Sequence, residues 1–177
     1  MMNLKLLYYG NPLLRRRARP VEGITDEIRE LVASMIEVMK SHNGIGLAAP
    51  QVGYMVRIFI TPVEGVSEQG ELILGEPKVF INPELSNPSE TSVEMNEGCL
   101  SIPKLYAAVS RPLTIHTKAL DLNGHLFEET TYGYAARTRM HENDHLNGVL
   151  FIDRIKGKQR TVLEPELRRI KQQYKNM

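Results

Sequence analysis

His141-Glu142-Asn143-Asp144-His145 is the most informative stretch of this 177-residue chain. Residues four apart lie on one face of a helix with their β-carbons about 5–6 Å apart, so His141 and His145 can bind a single metal ion. Glu142 would then face a water molecule on the open side of that ion. This H-E-x-x-H arrangement is typical of metal hydrolases in which the glutamate is the general base. The alternative is a polar helix with two surface histidines.

The sequence around this motif predicts an α+β fold in which short, mostly antiparallel strands surround a central metal-binding helix. Apolar residues recur with helical spacing over residues 26–42, where Thr25 can cap the first turn. The motif itself lies on a predicted helix at residues 132–146, and a C-terminal helix is predicted at residues 164–174. Segments rich in β-branched residues predict strands at 56–61, 79–82, 107–110, 114–119 and 126–131. Residues 64–77, with three glycines and four glutamates, are interpreted as an excursion between two strands.

Composition and charge exclude several classes of protein. The 42% hydrophobic and 24% charged residues are typical of a globular protein, and the length suits one domain over residues 1–177. A net charge of +1 is too small for the whole molecule to attract DNA or a membrane electrostatically. No apolar run approaches the roughly 18–20 residues that a membrane span needs. The sequence shows no signal peptide, and Cys99 is the only cysteine, which favours a reducing compartment and therefore the cytoplasm.

Two histidines need a third protein ligand if one position of the metal is to stay open for water. One class of zinc proteases is excluded because Phe151 occupies the position of its third histidine. Glu164 or Glu166 could complete a thermolysin-like endopeptidase site, although a solvated helix start also explains them. Cys99 is the better candidate, because Gly98 lets the backbone turn closely at the metal and a Cys/His/His set suits zinc or ferrous iron.

A non-catalytic module with a structural metal is a further alternative. Such sites usually have four protein ligands, whereas only three candidates are visible here. Glu142 would also have no function in such a module.

Three separated motifs resemble those of the peptide deformylase family. They are GxGLAAPQ at residues 44–51, EGCLS at residues 97–101 and HExDH at residues 141–145, in the order typical of that family. The resemblance implies one catalytic domain that hydrolyses the N-formyl group from the N-terminal formylmethionine of newly synthesised polypeptides and releases formate. It also implies a cytoplasmic enzyme of protein biosynthesis.

The resemblance further implies a metal site and a mechanism. Cys99, His141 and His145 would bind one divalent ion, which is typically Fe²⁺ in this family and can be replaced by Zn²⁺, Ni²⁺ or Co²⁺. Metal-bound water would attack the formyl carbon, with Glu142 as the general base and then the general acid.

Four more residues acquire roles from the same resemblance. Gln51 and the backbone N–H of Leu100 would stabilise the oxyanion that develops on the formyl oxygen. The backbone around Ile45 and Gly46 would hold the substrate chain.

The neighbours of the metal motif give weaker predictions. Tyr134 and Thr138 should share a helix face with the histidines and line the methionine pocket, or else simply belong to the core. Met140 stands where many family members have Gln, which affects the fine tuning of the pocket more than the reaction. Asp144 should point away from the metal and form an ion pair with Arg111.

Residues 154–177 carry eight Lys/Arg and two Glu, a net charge of +6. A solvated terminal helix explains this charge most simply. The functional alternative is that the segment docks on ribosomal RNA near the exit of nascent chains.

Overall fold

The computed structural model describes residues 1–177 as an α+β fold with two antiparallel sheets. The larger sheet has the strand order β1-β2-β3-β6-β7, and β4 pairs with β5 in the smaller one. The strands are β1 (Leu47–Ala48), β2 (Ile58–Val66), β3 (Leu72–Ser86), β4 (Ser92–Cys99), β5 (Ile102–Pro112), β6 (Thr114–Leu120) and β7 (Leu126–Tyr132). The helices are α1 (Asp26–Ser41), α2 (Gly133–Leu146) and α3 (Gly157–Gln173), with short 3₁₀ turns at Pro12–Arg15, Ala49–Val52 and Phe151–Arg154. The predicted fold class is confirmed.

Helix α1 follows its sequence signals closely. The hydroxyl of Thr25 accepts a hydrogen bond from the N–H of Ile28 at 3.3 Å, which satisfies one of the free donors of the first turn. The apolar stripe of α1 is buried against β1 and β2, and the side chains of Met35 and Met39 are fully covered there. The methionines of this helix are therefore core residues.

Helix α2 is the centre of the fold. It contacts strands of both sheets, and eleven of its fourteen residues are buried. Many of these buried residues are polar or charged, which a helix tolerates only when the side chains find partners. The predicted helix at residues 132–146 is confirmed, except that Tyr132 precedes the first turn.

The structure corrects two sequence predictions. Residues 64–77 are a β-hairpin and not an excursion outside the strands: residues 64–66 end β2, residues 67–71 form the turn, and residues 72–77 begin β3, with Val66 paired to Leu72. Glycines and glutamates suggested a loop there, but a hairpin exposed on both faces needs no alternating apolar pattern. The C-terminal helix begins at Gly157 rather than at residue 164, and Pro165 lies inside it.

Helix α3 packs onto the smaller sheet. Leu167 and Ile170 are buried in one apolar cluster with Ile102, Leu105 and Phe151. The basic C-terminal segment is therefore attached to the core through these two side chains. None of the three helices is long and apolar enough to cross a membrane.

Candidate metal centre

Strand β4 and helix α2 bring the three predicted metal ligands together. One ligand atom each from Cys99, His141 and His145 lies within 4.8 Å of the other two. The sulfur of Cys99 is 3.4 Å from Nε2 of His145, and the two imidazole rings are 5.2 Å apart. Cys99 ends β4, whereas the helical spacing of α2 presents both histidines on one face.

The alternative third ligands are not near this cluster. Glu164 and Glu166 lie on α3, where they form ion pairs with Arg160 and Arg169. Cys99 is thus the residue that completes the set.

The donor set fits a divalent metal ion. A sulfur and two imidazole nitrogens form a three-ligand site that suits zinc or ferrous iron. Nδ1 of His141 is already hydrogen-bonded to Glu97, which leaves Nε2 as its ligand atom. Cys99, His141 and His145 can therefore hold a metal ion, and the geometry does not distinguish one ion from another.

Glu97 anchors His141 and is itself surrounded by cations. One carboxylate oxygen accepts hydrogen bonds from Nδ1 of His141 (2.8 Å) and Nη2 of Arg111 (2.9 Å). The other accepts from Nε of Arg111 (2.6 Å) and Nη1 of Arg137 (2.6 Å). Burial by itself would raise the pKa of Glu97, but hydrogen bonds from His141 and Arg111 hold this pKa well below its usual range. Sequence analysis missed this role, although Glu97 stands in the EGCLS motif.

Asp144 extends this network on the far side of α2. Arg111 donates to it at 3.0 Å, which confirms the predicted ion pair. Arg154 adds two hydrogen bonds of 2.7 and 2.6 Å. The network joins β5, α2 and the turn that precedes α3.

Glu142 is buried beside the cluster without a hydrogen-bond partner at Oε2. Burial raises its pKa to about 7, against the opposing effect of the His141 cation. Its carboxylate lies directly against Gly46, where an added Cβ would collide with it. A side chain at position 46 would therefore displace the Glu142 carboxylate. The Oε2 atom of this carboxylate is free to exchange a proton.

Gln51 is held in one orientation next to Cys99. Its carbonyl oxygen accepts from the N–H of Ala48 at 2.9 Å, and its Nε2 donates to the hydroxyl of Ser101 at 3.1 Å. The same nitrogen lies 3.5 Å from the sulfur of Cys99. Ser101, which is fully buried, was not identified from the sequence.

These groups open into a cavity of about 490 Å³. The predicted residues that line it are Ile45, Gly46, Gln51, Cys99, Leu100, His141 and Glu142, with His145 buried behind them. Tyr134 and Thr138 of α2 also line the cavity, on the helix that carries the histidines, and their contact with a methionine side chain stays a prediction. Met140 does not, because it packs against Ile115 and Ala136 on the sheet side of the helix.

The remaining histidines lie outside the metal-capable cluster. His42 follows the end of α1, His116 lies on β6, and His125 is in a turn. His42 nevertheless contributes to the wall of the cavity, which the sequence did not indicate.

Comparison with known proteins identifies the family and supports the fold. The family model described as polypeptide deformylase matches residues 3–161, which include every residue of the cluster. The chain belongs to this family. The peptide deformylase of Rhizorhabdus wittichii is 42% identical over 170 residues, covering 96% of both chains. That of Salinibacter ruber is 42% identical over 171 residues, covering 94% of this chain and 88% of the relative.

Solved deformylase structures have the same architecture. A plant peptide deformylase PDF1B superposes with a TM-score of 0.89 at 34% identity, covering 99% of this chain and 92% of that one. Plasmodium falciparum peptide deformylase gives a TM-score of 0.84 at 32% identity, covering 95% and 99%. The protein is thus a hydrolase of protein biosynthesis, a deformylase that removes the N-formyl group from nascent peptides.

Proposed function

We propose that this deformylase acts on N-terminal formylmethionine with one divalent ion held by Cys99, His141 and His145. The observation that carries the proposal is the position of Glu142. A buried carboxylate with an unpaired oxygen lies beside the metal-capable cluster, at the wall of a cavity. Fe²⁺ is the expected ion, and Zn²⁺, Ni²⁺ or Co²⁺ can replace it, because the sulfur and imidazole donors suit all four.

In this proposal Glu142 transfers the proton. When bound, the divalent ion supplies Lewis acidity, which lowers the pKa of water and polarises the formyl oxygen. The Glu142 carboxylate takes the proton of the attacking water and returns it to the amine as the C–N bond breaks. Burial raises the pKa of the Glu142 carboxyl, which favours the uptake of a proton in the first step. The products are formate and a free amino terminus.

Gln51 and Leu100 would stabilise the charge that develops on the formyl oxygen. Hydrogen bonds to Ala48 and Ser101 position Nε2 of Gln51 beside Cys99, so the donor is already close to the proposed reaction site. The backbone N–H of Leu100, next to Cys99, would be the second donor. Losing one such donor typically costs about 3–4 kcal/mol of transition-state stabilisation.

The substrate chain would bind along residues 45 and 46. Both line the cavity and directly precede β1, which is an edge strand of the larger sheet. An edge strand can accept an extended peptide through backbone hydrogen bonds. Tyr134 and Thr138, on the same wall as His141, would then surround the methionine side chain.

Formate release from formyl-Met-Ala-Ser tests this proposal. Protein purified anaerobically and loaded with Fe²⁺ should release formate rapidly, lose the activity with a chelator, and regain it with Fe²⁺, Zn²⁺, Ni²⁺ or Co²⁺. No release from folded, metal-loaded protein would refute the proposal. Cleavage of an internal peptide bond that survives Cys99→Ser would favour the zinc endopeptidase instead.

We also propose that residues 1–177 act as one catalytic domain and that this domain works in the cytoplasm.

A separate proposal is that residues 154–177 contact the ribosome. Arg168, Lys171 and Lys175 line a second cavity of about 370 Å³ between α3 and residues 9–12. No carboxylate pairs with these three cations, whereas Arg160 and Arg169 have acidic partners. Unpaired cations on one side of a helix suit the phosphates of RNA.

A triple variant with Arg168, Lys171 and Lys175 changed to Gln should co-sediment less with ribosomes at low salt. Each lost phosphate contact should reduce the slope of log affinity against log salt by about 0.7–0.9. Removing the whole segment is a poorer test, because Leu167 and Ile170 belong to the core.

The matched control changes three exposed lysines elsewhere to Gln. These are Lys5, Lys40 and Lys118. Equal co-sedimentation of both variants would show that general charge, and not α3, makes the contact.

A further inference from the structure

The two ends of the chain meet at the wall of the active-site cavity. The rings of Tyr8 and Tyr174 are stacked, with centroids 3.9 Å apart and planes at 15°. Both residues line the cavity and both are half-buried. Neither belongs to the metal site, the proton-transfer group or the oxyanion donors proposed above.

The stacked pair is fixed from both sides. The N-terminal segment is held by backbone hydrogen bonds from Leu7 to the carbonyl of Gln51 (2.7 Å) and from Tyr9 to the carbonyl of Ser101 (2.8 Å). Tyr174 follows the last turn of α3, and its ring packs against the apolar cluster that anchors this helix. The two rings therefore have a set position relative to Gln51 and Cys99.

The chemistry of the cavity wall favours an apolar or aromatic ligand group. Four of the seven tyrosines line it: Tyr8, Tyr106, Tyr134 and Tyr174. Its carboxylates are Glu97, which is neutralised by arginines, and Glu142, which is the proposed proton carrier. Tyrosine rings offer a large, rigid contact area at low cost in conformational entropy, and they pack well on other aromatic rings.

We propose that the stacked rings of Tyr8 and Tyr174 bind a side chain of the substrate downstream of the formylmethionine, and that they favour an aromatic residue there. This inference rests on the proposed function. If Tyr134 and Thr138 take the methionine side chain, the rest of the peptide leaves the cavity along another part of its wall. The stack lies on that wall, so it is a specificity-determining surface supplied by the two ends of the chain.

Four formylated peptides test the inference. The reference is formyl-Met-Ala-Ala-Ser, and the others carry Phe at the second, third or fourth position. Wild-type enzyme should prefer one Phe peptide by about threefold to tenfold in kcat/KM, through a lower KM, as expected for one aromatic contact. Tyr174→Leu should reduce that ratio to about one, and Tyr174→Phe should retain it.

Tyr132→Leu is the matched control, because Tyr132 is 76% exposed and lies outside the cavity. It should leave the Phe preference unchanged. If Tyr174→Leu lowered kcat/KM by one common factor for all four peptides, the ring would be structural and the proposal would be wrong. A preference that survives Tyr174→Leu would also overturn it.

A binding measurement separates recognition from turnover. The chain contains no tryptophan, so the emission of a deformylated peptide with Trp at the preferred position reports its own binding. Tyr174→Leu should raise the Kd by about threefold to tenfold, and Tyr132→Leu should not. Formate release without any Phe preference would overturn this inference alone. No release from any peptide would overturn the proposed function with it.

Discussion

Glu142→Gln should retain its metal and lose about 10²–10⁴-fold in kcat for formate release. The substitution keeps the size of the side chain but removes its capacity to accept a proton. No other carboxylate in the cavity can replace it, because Glu97 is saturated by hydrogen bonds from His141, Arg111 and Arg137. Steady-state formate release and metal content per chain, measured on the same preparation, check the expectation.

Glu164→Gln is the control for this experiment, since Glu164 lies on α3 and pairs with Arg160. It should retain wild-type activity and metal content. Near-normal turnover by fully metallated Glu142→Gln would remove Glu142 from the mechanism. Loss of metal from Glu164→Gln would revive the thermolysin-like alternative.

Glu97→Gln should lower the free energy of unfolding of the metal-free protein by about 3–5 kcal/mol. The side chain is 4% exposed and is the shared anion for three buried groups: His141, Arg111 and Arg137. A carboxamide would turn its NH₂ toward at least one of these donors and leave cationic groups buried without their counter-charge. Urea unfolding followed by circular dichroism measures the change.

The same variant should bind its metal about 10–100-fold more weakly, because Glu97 orients His141 through Nδ1. Glu94→Gln is the control: it lies on the same strand, is exposed and forms no ion pair, so its stability should change by less than about 0.5 kcal/mol. Equal stability of Glu97→Gln and Glu94→Gln would show that the buried network contributes little.

Sequence reasoning succeeded where local geometry determines the outcome. Helical spacing places His141 and His145 on one face, so their joint position followed from α2 alone. Thr25 and the apolar stripe after it located α1 for the same reason. Cys99 required comparison of candidate ligands and a family resemblance, since nothing local connects β4 to α2.

The features that the sequence did not reveal depend on contacts between distant segments. The hydrogen bond between Glu97 and His141 joins residues 44 positions apart, and Ser101 reaches Gln51 across 50 positions. The stack of Tyr8 on Tyr174 joins the two ends of the chain. No periodicity or capping signal encodes such pairs, because they arise only when segments distant in sequence pack together. The ion pair of Asp144 with Arg111 was predicted, but its second partner, Arg154, was not.

Helix α2 has a practical consequence for enzyme engineering. Thr138 lies one turn and Tyr134 two turns before His141 and Glu142 on the same rigid element, so a new side chain at either position reshapes one wall without moving the reacting groups. Libraries restricted to these two codons could therefore retarget the enzyme to other formylated amines while its chemistry stays intact. The regular rise of a single helix thus holds both wall positions at a fixed distance from the proposed catalytic groups.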